Sequence, residues 1–226
     1  VIPLLNSYPI FAIVGENGWT SKMRKVDLGT KQVTTFDTTG TGFSISPDGF
    51  YVLCVDSDKS TIKKIDMYSG TVTLLAGTPG VTSRIDGTGT NSGFKGPHDI
   101  SIHPSGSYAL ITDVYNNAIR KLDLSNLYVS TFVGLCSSAD PCTPGNLNGP
   151  TLLTSKLYRP YVIRIHPRGN KAYVFDLINY VIKEITLTDP TSINTIVGTG
   201  VRAYNANTGY GTSVSINKAE SLTISP

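Results

Sequence analysis

Residues 113–123 read Asp-Val-Tyr-Asn-Asn-Ala-Ile-Arg-Lys-Leu-Asp, and this stretch decides the fold because its pattern recurs along the chain. In each copy an Asp is followed six positions later by an Ile and seven positions later by a basic residue. Two further clear copies occupy 56–66 and 176–186, and a fainter one at 17–27 has Asn17 in place of the Asp. Recurrence on this scale predicts one supersecondary unit that is used several times.

The strands of the unit can be read from its side-chain pattern. An apolar segment that ends in Pro47, Pro104 or Pro167 precedes each clear copy. Period-two alternation and enrichment in β-branched and aromatic residues predict four strands in each unit. In the clearest unit these strands span 99–103, 108–112, 118–123 and 129–133. A sustained apolar period of 3.6 residues is missing from the sequence, so we expect essentially no helix.

Four-stranded units in series predict an all-β fold, namely a β-propeller of four-stranded antiparallel blades. We expect complete blades at about 43–77, 98–134 and 161–198, and a fourth blade from 221–226 together with 1–37. Either these end pieces close a four-bladed ring by exchange of terminal strands, or the chain is a fragment of a larger propeller. In both cases residues 1–226 fit a single domain.

Two predictions concern the side chains of the repeat. Neighbours in a strand point to opposite faces of the sheet. We therefore expect the Ile of each copy to be buried and the following basic residue to be exposed, at Ile62–Lys63, Ile119–Arg120 and Ile182–Lys183.

The Asp and Asn residues between the second and third strands form the other group. They are Asp113 and Asn116 in one blade and Asp176 and Asn179 in another. Side chains of these types bond to nearby backbone amides in turns. We interpret all four as structural, because a turn must be rebuilt in every blade and a ligand site need not be.

The repeat resembles that of the NHL-repeat β-propeller family. The best match, Gly77–Gly134, contains Asp86-Gly87-Thr88-Gly89, Phe94-Lys95-Gly96-Pro97, Asp113, Asn116, Ile119-Arg120-Lys121 and Val129-Ser130-Thr131-Phe132-Val133-Gly134. The resemblance covers nearly the whole chain, although Lys59 stands where the pattern has Asn. It implies a propeller but no single activity, because such propellers bind proteins, bind RNA or catalyse.

Composition narrows the classes of function. Charged residues make up 15% of the chain and hydrophobic residues 39%, as is typical of a globular protein. The net charge of +3 is too small to favour nucleic acid as a partner. The sequence has no apolar run long enough for a transmembrane helix, so we expect no membrane span.

The cysteines indicate a compartment. Cys136 and Cys142 share one loop, and the Asp-Pro between them allows the chain to fold back for a disulfide. Cys54 lies in a predicted strand and is expected to be buried and free. A disulfide here implies an oxidising environment, hence the extracellular space or the secretory lumen.

The sequence contains few candidates for catalytic residues. His103 and His166 share one repeat position before a Pro, which favours a turn role. His98, Tyr161 and Glu220 occupy equivalent positions at the mouth of the central channel. One His and one Glu are too few converging ligands for a divalent metal, so we expect no metal, no cofactor and no catalytic residue.

Three long loops between blades are the best candidates for binding, because loops on a rigid scaffold often carry function. They span 77–97, 134–160 and 198–219 and share a face with the turns between second and third strands. Phe94, Leu157 and Ile216 are expected to anchor them to the core. Tyr and Arg dominate binding hot spots. The candidate binding residues are Arg84, Tyr115, Tyr158, Arg159, Tyr180, Tyr204 and Tyr210.

The sequence thus favours a non-enzymatic extracellular or luminal propeller that binds or scaffolds, either alone or within a larger multidomain or polymeric assembly. A protein partner or self-assembly is expected, and a glycan is also compatible. One alternative is an RNA-binding propeller, favoured if its basic loop residues cluster on one face. The other is a metal-dependent lyase or lactonase, favoured if a metal sits at the channel mouth.

Overall fold

The computed structural model describes residues 11–15, 22–36, 38–137, 141–203 and 209–225. They form four antiparallel sheets in chain order, here named blades 1 to 4. Blade 1 contains β1 (Phe11–Gly15), β2 (Met23–Asp27) and β3 (Val33–Phe36). Blade 2 contains β4 (Gly42–Ile45), β5 (Tyr51–Asp56), β6 (Thr61–Asp66) and β7 (Val72–Ala76).

Blades 3 and 4 repeat the same arrangement. Blade 3 contains β8 (Gly87–Thr88), β9 (Pro97–Ile102), β10 (Tyr108–Asp113), β11 (Ala118–Asp123) and β12 (Tyr128–Val133). The short β8 comes from a loop between blades and pairs with β12 at the outer edge. Blade 4 contains β13 (Pro160–Ile165), β14 (Lys171–Asp176), β15 (Val181–Thr186) and β16 (Ser192–Val197). The predicted all-β fold of antiparallel blades is confirmed, with three to five strands in each sheet among the described residues.

Helical structure in the described residues is limited to short 3-10 turns. Their positions are Gly89–Asn91, Val114–Asn116, Leu152–Thr154 and Gly211–Ser213.

The hydrophobic core lies between successive blades. One cluster joins blades 1 and 2 through residues such as Met23 and Cys54, and a second joins blades 2 and 3 around Phe94. A third joins blades 3 and 4 around Ile119 and Leu157. Because each inner blade packs against two neighbours, its second strand is buried on both faces, and Val52 to Val55 all lack exposed surface.

The first strands of blades 2, 3 and 4 lie side by side at the inner side of the fold. Ser44 Oγ accepts a hydrogen bond from the backbone N–H of Ile102 at 3.0 Å, and Ser101 Oγ accepts one from Ile165 at 3.0 Å. A Cβ at Gly42 would lie 2.5 Å from the carbonyl oxygen of His98. These contacts fix the spacing between the blades, and only glycine fits at position 42.

Of the two arrangements expected for the chain ends, the exchange of terminal strands is not formed among the described residues, and the fragment of a larger propeller stays open. Residues 221–225 belong to no strand, and the described residues of blade 1 form three strands, equivalent to the second, third and fourth strands of the other blades. The first strand of blade 4 carries Arg164 at the position of Ser44 and Ser101. Its guanidinium cannot accept a hydrogen bond from a following strand and instead binds Asp99 in blade 3.

Candidate functional site

The prediction that the basic residues of the repeat would be exposed is wrong. Arg120 and Lys183 are completely buried, and the side chain of Lys63 is only 16% exposed. Alternation along the strand holds, since Ile62 and Ile119 are buried on the other face, whereas Ile182 is only half-buried. The expectation failed because both faces of a blade are covered, one by the next blade and the other by the loop that enters the blade.

Blade 3 shows how a buried cation is satisfied. The guanidinium of Arg120 donates to Asp113 at 3.0 Å and Asp86 at 2.8 Å, and also to the backbone carbonyls of Ile85 and Gly93 at 2.9 and 2.8 Å. Three of these four partners lie in the 77–97 loop, so the buried cation holds this loop against its blade. Removal of Arg120 would leave the carboxylate of Asp113 buried without a cation.

The carboxylate of Asp113 completes this network. It accepts hydrogen bonds from Asn116 Nδ2 at 2.7 Å and from the backbone N–H of Lys95 at 2.8 Å. Burial nevertheless raises the pKa of Asp113, against the opposing effect of the Arg120 charge. Asp113 and Asn116 are completely buried and bonded to each other, which agrees with their structural interpretation, although Asn116 Oδ1 has no hydrogen-bond partner among the described residues.

Blades 2 and 4 use the same repeat position differently. In blade 2, Lys63 Nζ binds Asp56 Oδ2 at 2.7 Å. In blade 4, Lys183 Nζ forms no ion pair with Asp176 and donates to Asn146 Oδ1, Asn148 Oδ1 and Thr195 Oγ1 at 2.7, 2.7 and 3.0 Å. The third cation is therefore surrounded by neutral oxygens.

The carboxylate of Asp176 accepts hydrogen bonds from neutral donors. It accepts hydrogen bonds from the backbone N–H of Tyr158 and from Asn179 Nδ2, both at 2.7 Å. Burial raises the pKa of Asp176 to about 7 and lowers the pKa of Lys183. Asp176 and Asn179 thus fix the end of the 134–160 loop, which supports their structural interpretation.

The channel-mouth residues do come together. The rings of His98 and Tyr161 stack with centroids 3.6 Å apart, and His98 Nδ1 lies 3.2 Å from the carbonyl oxygen of Tyr161. Lys218 Nζ lies 5.9 Å from the Tyr161 ring centroid and pairs with Glu220 at 2.8 Å. Burial lowers the pKa of His98, which favours the neutral imidazole at neutral pH.

The remaining histidines lie apart from this group. Among the described residues, no group of three His, Cys, Asp or Glu side chains is placed to hold a metal ion. His103 and His166 act in turns, where His103 Nε2 lies 2.9 Å from the carbonyl oxygen of Gly169 and His166 Nδ1 accepts from the Arg168 N–H at 3.0 Å.

The cysteine predictions are confirmed. Cys136 and Cys142 form a disulfide, and Cys54 is free and buried. Burial raises the pKa of the Cys54 thiol to about 11, which makes it unreactive at neutral pH. The backbone N–H of Cys142 donates to the carbonyl of Asn116 at 3.1 Å, so the disulfide loop rests on the turn between β10 and β11.

The loop-bearing face, defined by the loops 77–97, 134–160 and 198–219 with the adjoining turns, brings three predicted binding residues together. Tyr115 is 51% exposed and Tyr158 38% exposed. The guanidinium carbon of Arg159 lies 5.2 Å from the ring centroid of Tyr115, and its backbone N–H donates to Asn117 Oδ1 at 3.1 Å. Tyr115, Tyr158 and Arg159 thus form an exposed aromatic and cationic patch at the junction of blades 3 and 4.

The other predicted binding residues are placed differently. Arg84 is half-buried and donates to the Ser137 carbonyl at 2.8 Å, which makes it an anchor of the loops. Tyr180 is half-buried in a left-handed conformation with φ 51°. Tyr210 is 94% exposed and isolated from the patch in sequence, and Tyr204 lies outside the described residues.

The expected loop anchors are largely confirmed. Phe94 and Leu157 are completely buried, while Ile216 is half-buried.

Sequence reasoning missed a cleft of about 300 Å³ on the opposite face. Phe11 and Lys25 of blade 1 line it together with Phe50, Met67 and Tyr68 of blade 2. Phe50 is 56% exposed and Tyr68 fully exposed. Two aromatic residues in the short turns of one blade were the sequence signal that could have indicated this cleft.

Comparison with known proteins agrees with the fold. No protein-family model matches the chain. The chain is 29% identical over 171 residues to Protein SUPPRESSOR OF QUENCHING 1, chloroplastic, of Arabidopsis thaliana, a match that covers 73% of this chain and 15% of that protein. It is 23% identical over 158 residues to NHL repeat-containing protein 2 of Bos taurus, covering 66% of this chain and 21% of that protein. The chain therefore spans only a small part of the length of these curated relatives.

A solved structure gives the same result. The crystal structure of an auxiliary nutrient binding protein from Bacteroides ovatus superposes with a TM-score of 0.63 at 17% identity, covering 83% of this chain and 46% of that one. None of the helices among the described residues is long and apolar enough to cross a membrane. The repeats, the fold and these relatives together identify the chain as a β-propeller whose blades resemble NHL repeats.

Proposed function

We propose that this chain is a non-enzymatic binding module that recognises a protein partner through its loop-bearing face. The observation that carries this proposal is the exposed patch of Tyr115, Tyr158 and Arg159. Tyr and Arg are the residue types that contribute most binding energy at protein interfaces. The patch also lies on loops that a rigid scaffold holds in place, where binding usually resides.

The guanidinium of Arg159 is held in one orientation and can accept a binding partner. It lies over the Tyr115 ring, and no hydrogen-bond acceptor for it is found among the described residues. The backbone of Arg159 is fixed on both sides, because its N–H donates to Asn117 and its carbonyl accepts from the Leu177 N–H at 3.2 Å. A side chain ordered before binding loses less conformational entropy when a partner arrives.

The backbone conformation of Arg159 also favours a functional role. Arg159 has φ 57°, and the equivalent position of blade 3 holds Gly96 with φ 60°. Glycine adopts this left-handed conformation without strain, whereas an arginine does not. Strained residues that persist in a fold are often retained for function.

The charges around the patch favour an acidic partner. The nearest carboxylates in the turns of blades 3 and 4, Asp113 and Asp176, are buried beneath the surface and bound to internal donors. Arg159 therefore presents a positive charge between two tyrosines. A planar guanidinium pairs with a carboxylate through two parallel hydrogen bonds, so we expect an Asp or Glu of the partner to bind there.

The disulfide supports an extracellular or luminal location, because such bonds persist in oxidising compartments. The solved propeller described as an auxiliary nutrient binding protein supports a binding role for the fold. The fold alone does not identify the partner of this chain.

Site-specific photo-crosslinking tests this proposal. A photoreactive phenylalanine derivative replaces Tyr158 in one variant and Tyr68 in a matched control on the opposite face, both being exposed tyrosines. The proposal predicts a discrete protein adduct from position 158 and none from position 68. Adducts from position 68 alone would place binding on the cleft face and contradict the proposal.

A further inference from the structure

The cation sites of blades 3 and 4 have the same architecture. Arg120 in blade 3 and Lys183 in blade 4 are buried at the same repeat position. Thr131 Oγ1 donates to Asp86 Oδ1 at 3.1 Å beside Arg120, and Thr195 Oγ1 donates to Asn148 Oδ1 at 3.3 Å beside Lys183. Asn148 therefore occupies the place of Asp86. The difference is that blade 3 supplies a carboxylate to its cation and blade 4 supplies a neutral amide.

Close packing explains why Asp86 and Asn148 are both followed by glycine, at Gly87 and Gly149. A Cβ at Gly87 would lie 2.7 Å from the carbonyl oxygen of Asn91, and a Cβ at Gly149 would lie 2.6 Å from Thr154 Oγ1 and from the carbonyl carbon of the same residue. The packing therefore requires glycine at position 149, and with Asn148 before it the chain has an Asn-Gly dipeptide in blade 4. In an Asn-Gly sequence no side chain on the second residue hinders attack by its backbone nitrogen on the asparagine amide.

We propose that Asn148 is a site of intramolecular deamidation, which converts it to aspartate and completes an ion pair with Lys183. The backbone nitrogen of Gly149, on losing its proton, bonds to Cγ of Asn148. The bond from Cγ to Nδ2 breaks, and ammonia leaves with the transferred protons. Water then attacks Cγ of the cyclic imide and the bond from Cγ to the Gly149 nitrogen breaks, so that the overall change is amide plus water to carboxylate plus ammonia. Attack at the backbone carbonyl carbon of residue 148 would give isoaspartate instead.

Two donors face the oxygen on which negative charge develops. Lys183 Nζ lies 2.7 Å from Asn148 Oδ1 and Thr195 Oγ1 lies 3.3 Å from it. Donors held at such an oxygen before reaction stabilise the tetrahedral intermediate. One contact opposes the reaction, because the N–H of Gly149 donates to Ser155 Oγ at 3.0 Å and this hydrogen bond must open first.

An aspartate at position 148 would pair with the charge of Lys183, which now has only neutral oxygens as hydrogen-bond acceptors. No carboxylate of the described residues forms an ion pair with Lys183, and burial lowers the pKa of this lysine. A carboxylate at position 148 would make the charge-assisted hydrogen bond that Asp86 makes with Arg120 at 2.8 Å. A modification that changes charge acts on stability through such local contacts.

Peptide mass spectrometry of the folded chain, incubated at mildly alkaline pH, tests the proposal. We expect the small mass gain of an amide-to-carboxylate conversion at Asn148, several-fold slower in Lys183→Met and Thr195→Val and faster in Ser155→Ala. Thr195→Val serves as the second variant in case Lys183→Met does not fold. We also expect Asn148→Asp to have a higher Tm than the wild type.

Three outcomes would overturn the proposal. Asn148 could keep its amide under conditions in which the same peptide deamidates when excised. The chain could instead lose ammonia to a crosslink between Lys183 and an asparagine, visible after proteolysis as two peptides that stay joined through Lys183. Finally, Asn148→Asp could lower the Tm, which would show that a carboxylate does not fit this site.

Discussion

Replacement of Arg159 by glycine separates a functional from a structural role for this residue. Relief of the left-handed conformation should stabilise the fold by roughly 1–2 kcal/mol. The greater freedom of glycine in the unfolded chain costs about 0.5–1 kcal/mol, and loss of the exposed contact with Tyr115 costs about 0.5–1 kcal/mol. These terms nearly cancel, so Arg159→Gly should leave the free energy of unfolding within about 1 kcal/mol of the wild type.

Binding should respond very differently. Loss of a hot-spot arginine typically costs at least about 2 kcal/mol of binding free energy, or roughly 30-fold in Kd. Urea denaturation measures the first quantity, and titration with the partner recovered by cross-linking measures the second. Arg159→Ala is the matched control, since it removes the side chain but keeps the strain. An Arg159→Gly variant that unfolds readily, or that binds like the wild type, would refute the reasoning.

Other predictions concern the buried charges and the disulfide. Arg120→Met should destabilise the fold by about 3–5 kcal/mol in urea denaturation because it leaves Asp113 buried and unpaired; a smaller loss than for an exposed arginine would contradict the network. The pKa of Asp176 is raised from an ordinary 3.8 to about 7 by burial, so the folded state binds more protons than the unfolded state between these values. Stability should therefore fall as the pH rises through this window, and Asp176→Asn should reduce that slope. Replacing Cys136 and Cys142 together by serine should cost less than the roughly 2–5 kcal/mol typical of small secreted domains, since the bridge closes a short loop; a global loss of folding would contradict this.

Strand positions could be predicted from the sequence because they depend on local alternation. The prediction for 118–123 coincides with β11, and that for 99–103 differs from β9 by one or two residues at each end. The disulfide and the buried anchors Phe94 and Leu157 were also predictable, because short loop closure and apolar residues in equivalent places are local signals.

Contacts between blades could not be predicted in the same way. Arg120 and Lys183 are buried because loops between the blades cover the face of the blade that carries them. The alternation of residues within one strand does not show whether a loop covers that face. The contact between Tyr115 and Arg159 joins residues of two blades. Ring closure by residues 221–225 was one of two arrangements that the repeat pattern allowed, and the sequence could not decide between them. Arg164 in blade 4 lacks the acceptor that Ser44 and Ser101 provide in blades 2 and 3.

Hydrogen–deuterium exchange of the complex with the cross-linked partner tests whether the partner binds the loop-bearing face. We expect slower exchange on binding in 77–97, 113–117 and 134–160, the segments that surround the exposed patch. The turns that line the opposite cleft, 47–50 and 66–71, should exchange at the rate of the free protein. Slower exchange confined to those two turns, with the loop-bearing face unchanged, would contradict the account.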